Sequence, residues 1–291
     1  MIPAGSGVQV QKAYAQDFDQ VYTSLLAAHD PRIGKEDWRQ LFIKHWEVPE
    51  DYHGYMLLDN GEVVGFLGTI FSARKIRNQE YRFCNLTSWI VRPEHRQRSL
   101  FLLFPLLKLR DYTFTNLSAR EHVAAIHREL GFTEIGSQAQ ILLPLSGFSF
   151  QGKSRCQLIF DYDKIRDILK NGEKDIFNDH LKFKCRHILI VSENDYCYLV
   201  ASRLVKKMVP ILYIHYIGNL EIFSKMINKV ALKMLCHFQS LGLLLEDRLV
   251  EGVNLRGAIK YNLPQHKLFK SPFLEAKDID NLYSERILLN Y

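Results

Sequence analysis

Residues 82–132 read RFCNLTSWIVRPEHRQRSLFLLFPLLKLRDYTFTNLSAREHVAAIHRELGF, and this stretch decides the fold. An apolar strand is expected to run up to Val91. A basic turn, PEHRQRS, follows and leads into an apolar run. A second strand is expected from Tyr112 to Leu117, then a short helix closed by Gly131. The order strand, basic loop, helix, strand, helix suits a ligand that carries phosphate. Free N–H groups and the dipole at a helix N-terminus attract anions. Arg92, Arg96 and Arg98 add positive charge beside them. Pro105 within a helix would cost about 3 kcal/mol, so a regular helix is expected to begin near Phe104, with the proline in its first turn.

The segment Val91-Arg92-Pro93-Glu94-His95-Arg96 resembles the V-x-P-x-x-R lead into the phosphate loop of the GNAT superfamily of acyl-CoA N-acyltransferases. Ile126-His127-Arg128-Glu129-Leu130-Gly131-Phe132 is similar to that family's L-Y-x-x-L-G-F ending. The family's loop, R/Q-x-x-G-x-G/A, reads Arg96-Gln97-Arg98-Ser99-Leu100-Phe101 here. Both small positions are replaced, and glycine is used there because it has no Cβ. The resemblance covers roughly residues 8–145. It implies a mixed α/β sheet and acetyl-CoA or another acyl-CoA as co-substrate. Residues 96–101 (Arg96, Gln97, Arg98, Ser99, Leu100 and Phe101) match the phosphate arm, and Trp89 and Val91 match the strand that pairs with pantetheine. It also implies an amine acceptor, either a small molecule or a peptide, and direct attack of that amine on the thioester.

His127 stands where the family commonly has a tyrosine near the departing sulfur. A histidine titrates near neutrality and could protonate a thiolate. It shares a helix face with Val123, Ile126 and Leu130, which also reads as ordinary packing. Alternation sends Asn85, Thr87 and Trp89 to one face of the strand and Cys84, Leu86 and Ser88 to the other. Cys84 lacks a histidine–carboxylate context and reads as a buried apolar thiol. Glu121 is a possible general base and equally a solvated first-turn residue. Phe101 is expected to turn inward to the core.

The chain has 291 residues, 47 % of them apolar or aromatic and 24 % charged, which places it among globular proteins. A formal charge of +6 suits an anionic ligand or an acidic partner such as acyl carrier protein, and equally serves solubility. Five cysteines without a C-x-x-C pair argue against a disulfide framework and a zinc site, and for reduced thiols in a cytoplasmic setting. No signal peptide and no membrane span is legible. No nucleic-acid motif with interleaved basic and aromatic residues occurs.

Working outward, Phe18, Val21, Tyr22, Leu25 and Leu26 mark a one-sided helix. Trp38, Leu41, Phe42 and Trp46 mark a second, with both tryptophans read as core. Strands are expected at Val8–Ala13, His53–Leu58 and Val63–Ala73, the last two joined by Asp59-Asn60-Gly61-Glu62. Asn-Gly is the strongest short hairpin signal. Two short strands within Thr133–Leu145 are expected to close the first unit.

Beyond residue 150 the pattern returns. Two helices (Tyr162–Lys170 and Ile176–Leu181) precede a hairpin (His187–Ser192 and Tyr196–Leu204, turning at Glu193-Asn194-Asp195). A strand (Met208–Ile217), a long helix ended by Gly242 and a strand (Leu243–Leu245) follow. Five elements in the same order imply two tandem GNAT-like units, residues 1–147 and 148–291, each a twisted, mostly antiparallel sheet flanked by helices. The second unit has no arginine loop, and Glu221 at its helix start would repel a pyrophosphate. Tyr213, His215 and Tyr216 read as pocket or core. LPQHKLFKSP reads as a loop-flanked edge strand. The functional expectation is an N-acyltransferase. Competing readings are a non-catalytic binding or scaffold protein, and a transferase whose donor is acyl carrier protein or aminoacyl-tRNA.

Overall fold

A computed structural model describes residues 7–77, 79–144, 156–192, 195–206 and 208–289. The 147/148 boundary, and Glu193 and Asn194 of the second hairpin turn, lie outside the described residues. In chain order the strands are β1 (Val8–Lys12), β2 (Gly54–Asp59), β3 (Glu62–Ile76), β4 (Gln79–Val91), β5 (Tyr112–Ala119), β6 (Thr133–Glu134) and β7 (Gln138–Leu142). They continue with β8 (Cys156–Ile159), β9 (Cys185–Ser192), β10 (Asp195–Lys206), β11 (Val209–Ile217), β12 (Gly242–Glu246), β13 (Ile259–Asn262) and β14 (His266–Lys270).

They form two seven-stranded mixed sheets, ordered β1-β2-β3-β4-β5-β14-β6 and β13-β7-β12-β11-β10-β9-β8. In each, an antiparallel meander ends in one parallel pair, β4–β5 in the first and β11–β12 in the second. This is the repeat expected from the sequence. The β2–β3 hairpin turns at Asn60 and Gly61, both at positive φ (50° and 84°), the combination a two-residue hairpin requires.

Two strands lie where the sequence reading did not put them. β7 joins the second sheet, between β12 and β13, instead of closing the first. β14 is interior to the first sheet, between β5 and β6, instead of an edge. Each half of the chain thus lends a strand to the other's sheet. Local alternation fixes which residues face a core but not which sheet a short strand joins.

The Phe18 helix forms, with a π-helical turn at Tyr22–Leu26. The next helix ends early: Lys35–Arg39 passes into a 3-10 turn, Gln40–Phe42, and Ile43 is extended. Trp46 therefore reaches the core from a loop, and both it and Trp38 are buried as expected. In the second unit the long helix, Leu220–His237, ends before Gln239, which takes the left-handed conformation (φ 49°), and Gly242 opens β12 instead. One apolar cluster spans both units, joining Phe18, Phe42 and Phe66 to Phe177, Tyr198 and Val200 through Tyr283 and Ile287. Residues 281–289 are all buried, so the last described segment is a spine between the sheets.

Candidate functional site

β4 and β5 pair only from Arg82 to Asn85 and from Tyr112 to Thr115. Beyond Asn85 they part, and β4 residues 86–91 keep a partner only on the β3 side. The parting leaves a row of backbone groups on β4 open to a ligand that can add as a strand. Within it Ser88 has φ 51°, a left-handed conformation uncommon for a residue with a Cβ. One extra residue of β4 is accommodated there against Phe66–Gly68 of β3, which makes a bulge that re-aims the strand.

The bulge corrects the expected facing. Cys84 and Leu86 belong to the cluster beneath helix Glu121–Glu129, and Trp89, beyond the bulge, packs against the same cluster while Ile90 joins the opposite one. Trp89 and Val91 are half-buried beside the opening. Cys84 is fully buried, and burial pushes its thiol well up, with Glu50 adding to the shift. It is no nucleophile.

His127 lies on the helix side of the opening. It is completely buried, with its ring edge-on to Phe132 at 4.5 Å and to Trp89 at 5.6 Å between centroids. Nδ1 sits 2.9 Å from the Val123 carbonyl oxygen. A carbonyl only accepts, so Nδ1 carries the proton. Burial lowers the ring's pKa, so the neutral form prevails, and Nε2 presents a lone pair without a partner among the described residues. The expected acid is therefore placed as a hydrogen-bond acceptor. Glu121, the weighed base, is instead engaged at the helix start by Arg128 and His266.

The expected phosphate loop and helix form a 3-10 helix, Pro93–Leu102, and a further 3-10 turn, Leu106–Lys108, with no α-helix in this segment. Prolines 93 and 105 suit first turns, and the 3-10 spiral commits its interior N–H groups to carbonyls three residues back. The cradle of free N–H groups expected at residues 96–101 is thus absent. What remains is cationic. Arg96 and Gln97 are exposed, and Arg98, Ser99 and Leu100 are half-buried. Neither Arg96 nor Arg98 has a hydrogen bond or ion pair among the described residues, whereas Arg92 is tied to Glu62 at 2.6 Å. Phe101 is half-buried, tilted against the exposed ring of Phe104, so it is not the inward core residue expected.

The floor of the opening was missed in the sequence. Asn85, the last β4 residue paired with β5, is buried, and its Oδ1 accepts from the Thr115 hydroxyl at 3.0 Å. Its Nδ2 donates to Glu285 Oε2 at 2.5 Å. Glu285, on helix Glu285–Leu288, is fully buried, and its Oε1 has no partner among the described residues. The segment Asn281-Leu282-Tyr283-Ser284-Glu285-Arg286-Ile287-Leu288-Leu289 mixes polar and apolar residues, so Glu285 carries no local mark of its burial.

The second unit has the same parting in a different state. β11 and β12 pair from Ile211 to Tyr213 and from Gly242 to Leu244. At the last pair the Tyr213 hydroxyl and Lys267 Nζ both bond to Glu246, and Asn281 and Arg248 complete a cluster around it (2.6 and 2.7 Å to the Glu246 oxygens). Burial alone would raise the Glu246 carboxyl, yet Lys267 and Arg248 hold it well below the usual range. Burial pulls the Lys267 ammonium down and Glu246 opposes this. With this many hydrogen bonds around both groups the charged pair is the favoured state. Tyr213 and His215 are core, and Tyr216 is half-buried. At the start of helix Leu220–His237, a Cβ on Gly218 would fall on the Glu173 carboxylate. Protein groups thus fill the parting and cover the start of that helix.

Among solved structures, the chain is similar to a GCN5-related N-acetyltransferase from Anabaena variabilis (TM-score 0.56, 10 % identity, 90 % of this chain and 72 % of that one). It is also similar to one from Kribbella flavida (TM-score 0.57, 13 % identity, 91 % and 71 %). The chain has the GNAT fold, in two tandem units. A third GNAT structure, a glucosamine N-acetyltransferase region of a fungal multi-domain β-N-acetylglucosaminidase, aligns at TM-score 0.60 and 12 % identity over 92 % of this chain and 38 % of that one. No protein-family model and no curated protein sequence matches the chain. Among the described residues no helix is long and apolar enough to cross a membrane.

Proposed function

We propose that the chain is an N-acyltransferase that moves an acyl group from a pantetheine thioester, acyl-CoA in the first instance, to an amine on a small molecule or peptide. The observation that carries this reading is the parted β4–β5 pair with its left-handed bulge at Ser88. An unpaired strand edge offers alternating N–H and C=O groups to the amides of a pantetheine arm. The residues fit such a donor through side chains more than through a backbone cradle: Arg96 and Arg98, unpaired among the described residues, are cations suited to phosphate. Trp89 and Val91 flank the arm, and Gln97, Ser99, Leu100 and Phe101 complete the turn beside it. The Nε2 lone pair of His127 is suited to accept a hydrogen bond from a thiol or amide. The fold holds the donor while a neutral amine approaches, and that alignment supplies much of the rate.

Calorimetry with acetyl-CoA, a longer acyl-CoA and free CoA, together with thiol release on a panel of primary amines, tests the reading. Binding of an acyl-CoA and amine-dependent thiol release are expected. Binding without release under any amine would favour a scaffold that senses the thioester, and no binding at all would refute the reading.

A further inference from the structure

We infer that Glu285 is the general base of the transfer reaction and that Asn85 is its positioning residue; this rests on the N-acyltransferase reading. Three observations lead there. Asn85 marks the point where β4 and β5 part, and Glu285 Oε2 is held 2.5 Å from its amide nitrogen. The other oxygen, Oε1, is buried and unpartnered among the described residues, a costly arrangement unless something fills it. The second unit supplies the contrast, since the buried carboxylate at its own parting, Glu246, is bonded to Lys267, Arg248, Tyr213 and Asn281. No ion pair to Glu285 occurs among the described residues. One carboxylate is saturated by its partners, and the other keeps a buried oxygen without one among the described residues.

The two faces of the sheet then divide the chemistry. Trp89 and His127 lie on the side of helix Glu121–Glu129. Glu285 lies on the side of Asn85 and its cross-strand neighbour Ile70, against the spine of residues 281–289. A neutral amine arriving on the Glu285 side gives its lone pair to the thioester carbonyl carbon, and the C–N bond forms as the C–S bond breaks. The sulfur leaves with the bonding pair, and the nitrogen's proton passes to Glu285 Oε1. That proton then goes to the thiolate, which restores the carboxylate and yields amide and thiol. Titratable and charged groups on the elements packed with the spine that carries Glu285 include Arg286 of its own turn, His215 of β11, His180 of helix Asn171–His180, Lys267 of β14, Glu246 and Arg248 at the end of β12, and Arg74, Asp179 and Asp280 around Tyr283. His215 and His180 are held neutral by burial.

The test compares wild type with Glu285→Gln, Glu285→Asp and Asn85→Ala. It uses acetyl-CoA as donor and butylamine, spermidine and a lysine-bearing peptide as acceptors. Acetyl-CoA affinity and melting temperature are read alongside kcat as a function of pH. Glu285→Gln is expected to bind acetyl-CoA within twofold of wild type, melt within a few degrees of it, and lose at least 100-fold in kcat together with the acidic limb. Glu285→Asp should keep the limb at reduced kcat, and Asn85→Ala should lower kcat and displace the limb. Glu285→Gln turnover within threefold of wild type, acidic limb intact, would overturn the assignment and leave the transferase reading standing. Should the Gln variant fail to fold, a limb unchanged in both Glu285→Asp and Asn85→Ala would overturn it equally. Wild type that neither binds acetyl-CoA nor releases thiol would overturn the reading and the assignment together.

Discussion

The parallel pairs β4–β5 and β11–β12 begin alike and end differently. Each runs together for three or four residues and then parts. The first parting is bordered by an unpaired strand edge, a bulge and two uncommitted arginines. The second is filled by Lys267 and Glu246, and Glu173 covers the start of its helix. A duplicated topology therefore does not carry duplicated chemistry. One copy keeps an opening, and the other spends the same geometry on holding the halves together, through a lysine on the strand it lends to the first sheet.

Breaking the filled parting should have the largest effect. Lys267→Met leaves Glu246 buried without its closest cation, an expected loss of about 3–5 kcal/mol measurable by equilibrium denaturation. Adding Glu246→Leu should recover most of it. A single variant as stable as wild type would mean that the cluster does not hold the halves.

Acid comes next. Burial pushes His180 and His215 down to about 3 and His187 to about 4. Their folded values lie below the unfolded value near 6.5, so the unfolded chain binds more protons as pH falls. Stability should be full above about pH 6.5 and be lost progressively toward pH 4, on the order of 2 kcal/mol per histidine by pH 5. Denaturation midpoints between pH 8 and pH 5 check this, and a flat profile would contradict it.

The open parting should respond through binding more than through stability. Arg96→Ala with Arg98→Ala should weaken acyl-CoA about 10- to 100-fold, as loss of one or two charge-assisted hydrogen bonds does, with little change in melting. Isothermal titration decides it, and an unchanged Kd would make these arginines surface residues only. Phe101→Gly is expected to cost only about 1 kcal/mol, well short of a buried phenylalanine, because the side chain is only half-buried.

Much of this architecture was legible. Asn60-Gly61 announced the hairpin, and the repeated order of elements announced two units. The Val91–Arg96 and Ile126–Phe132 segments announced the fold. Four things were not. Ser88 carries no mark of a left-handed bulge, since glycine would have signalled it and serine does not, so the facing of Trp89 was misread. Pro93 and Pro105 signalled turns but not that 3-10 bonding would use up the N–H groups of residues 96–101. Asn85 and Glu285 are 200 residues apart, and no local pattern links a polar strand residue to a carboxylate in the last turn of the chain. The exchange of β7 and β14 is illegible for the same reason, because each is five residues long and its partners are set by tertiary packing.

The most direct measurement is hydrogen exchange with and without acetyl-CoA, read on peptides from both partings. The account expects new protection across residues 86–101, with residues 211–222 unchanged. Protection at residues 211–222, or equal protection at both sites, would contradict the division between an open and a filled copy.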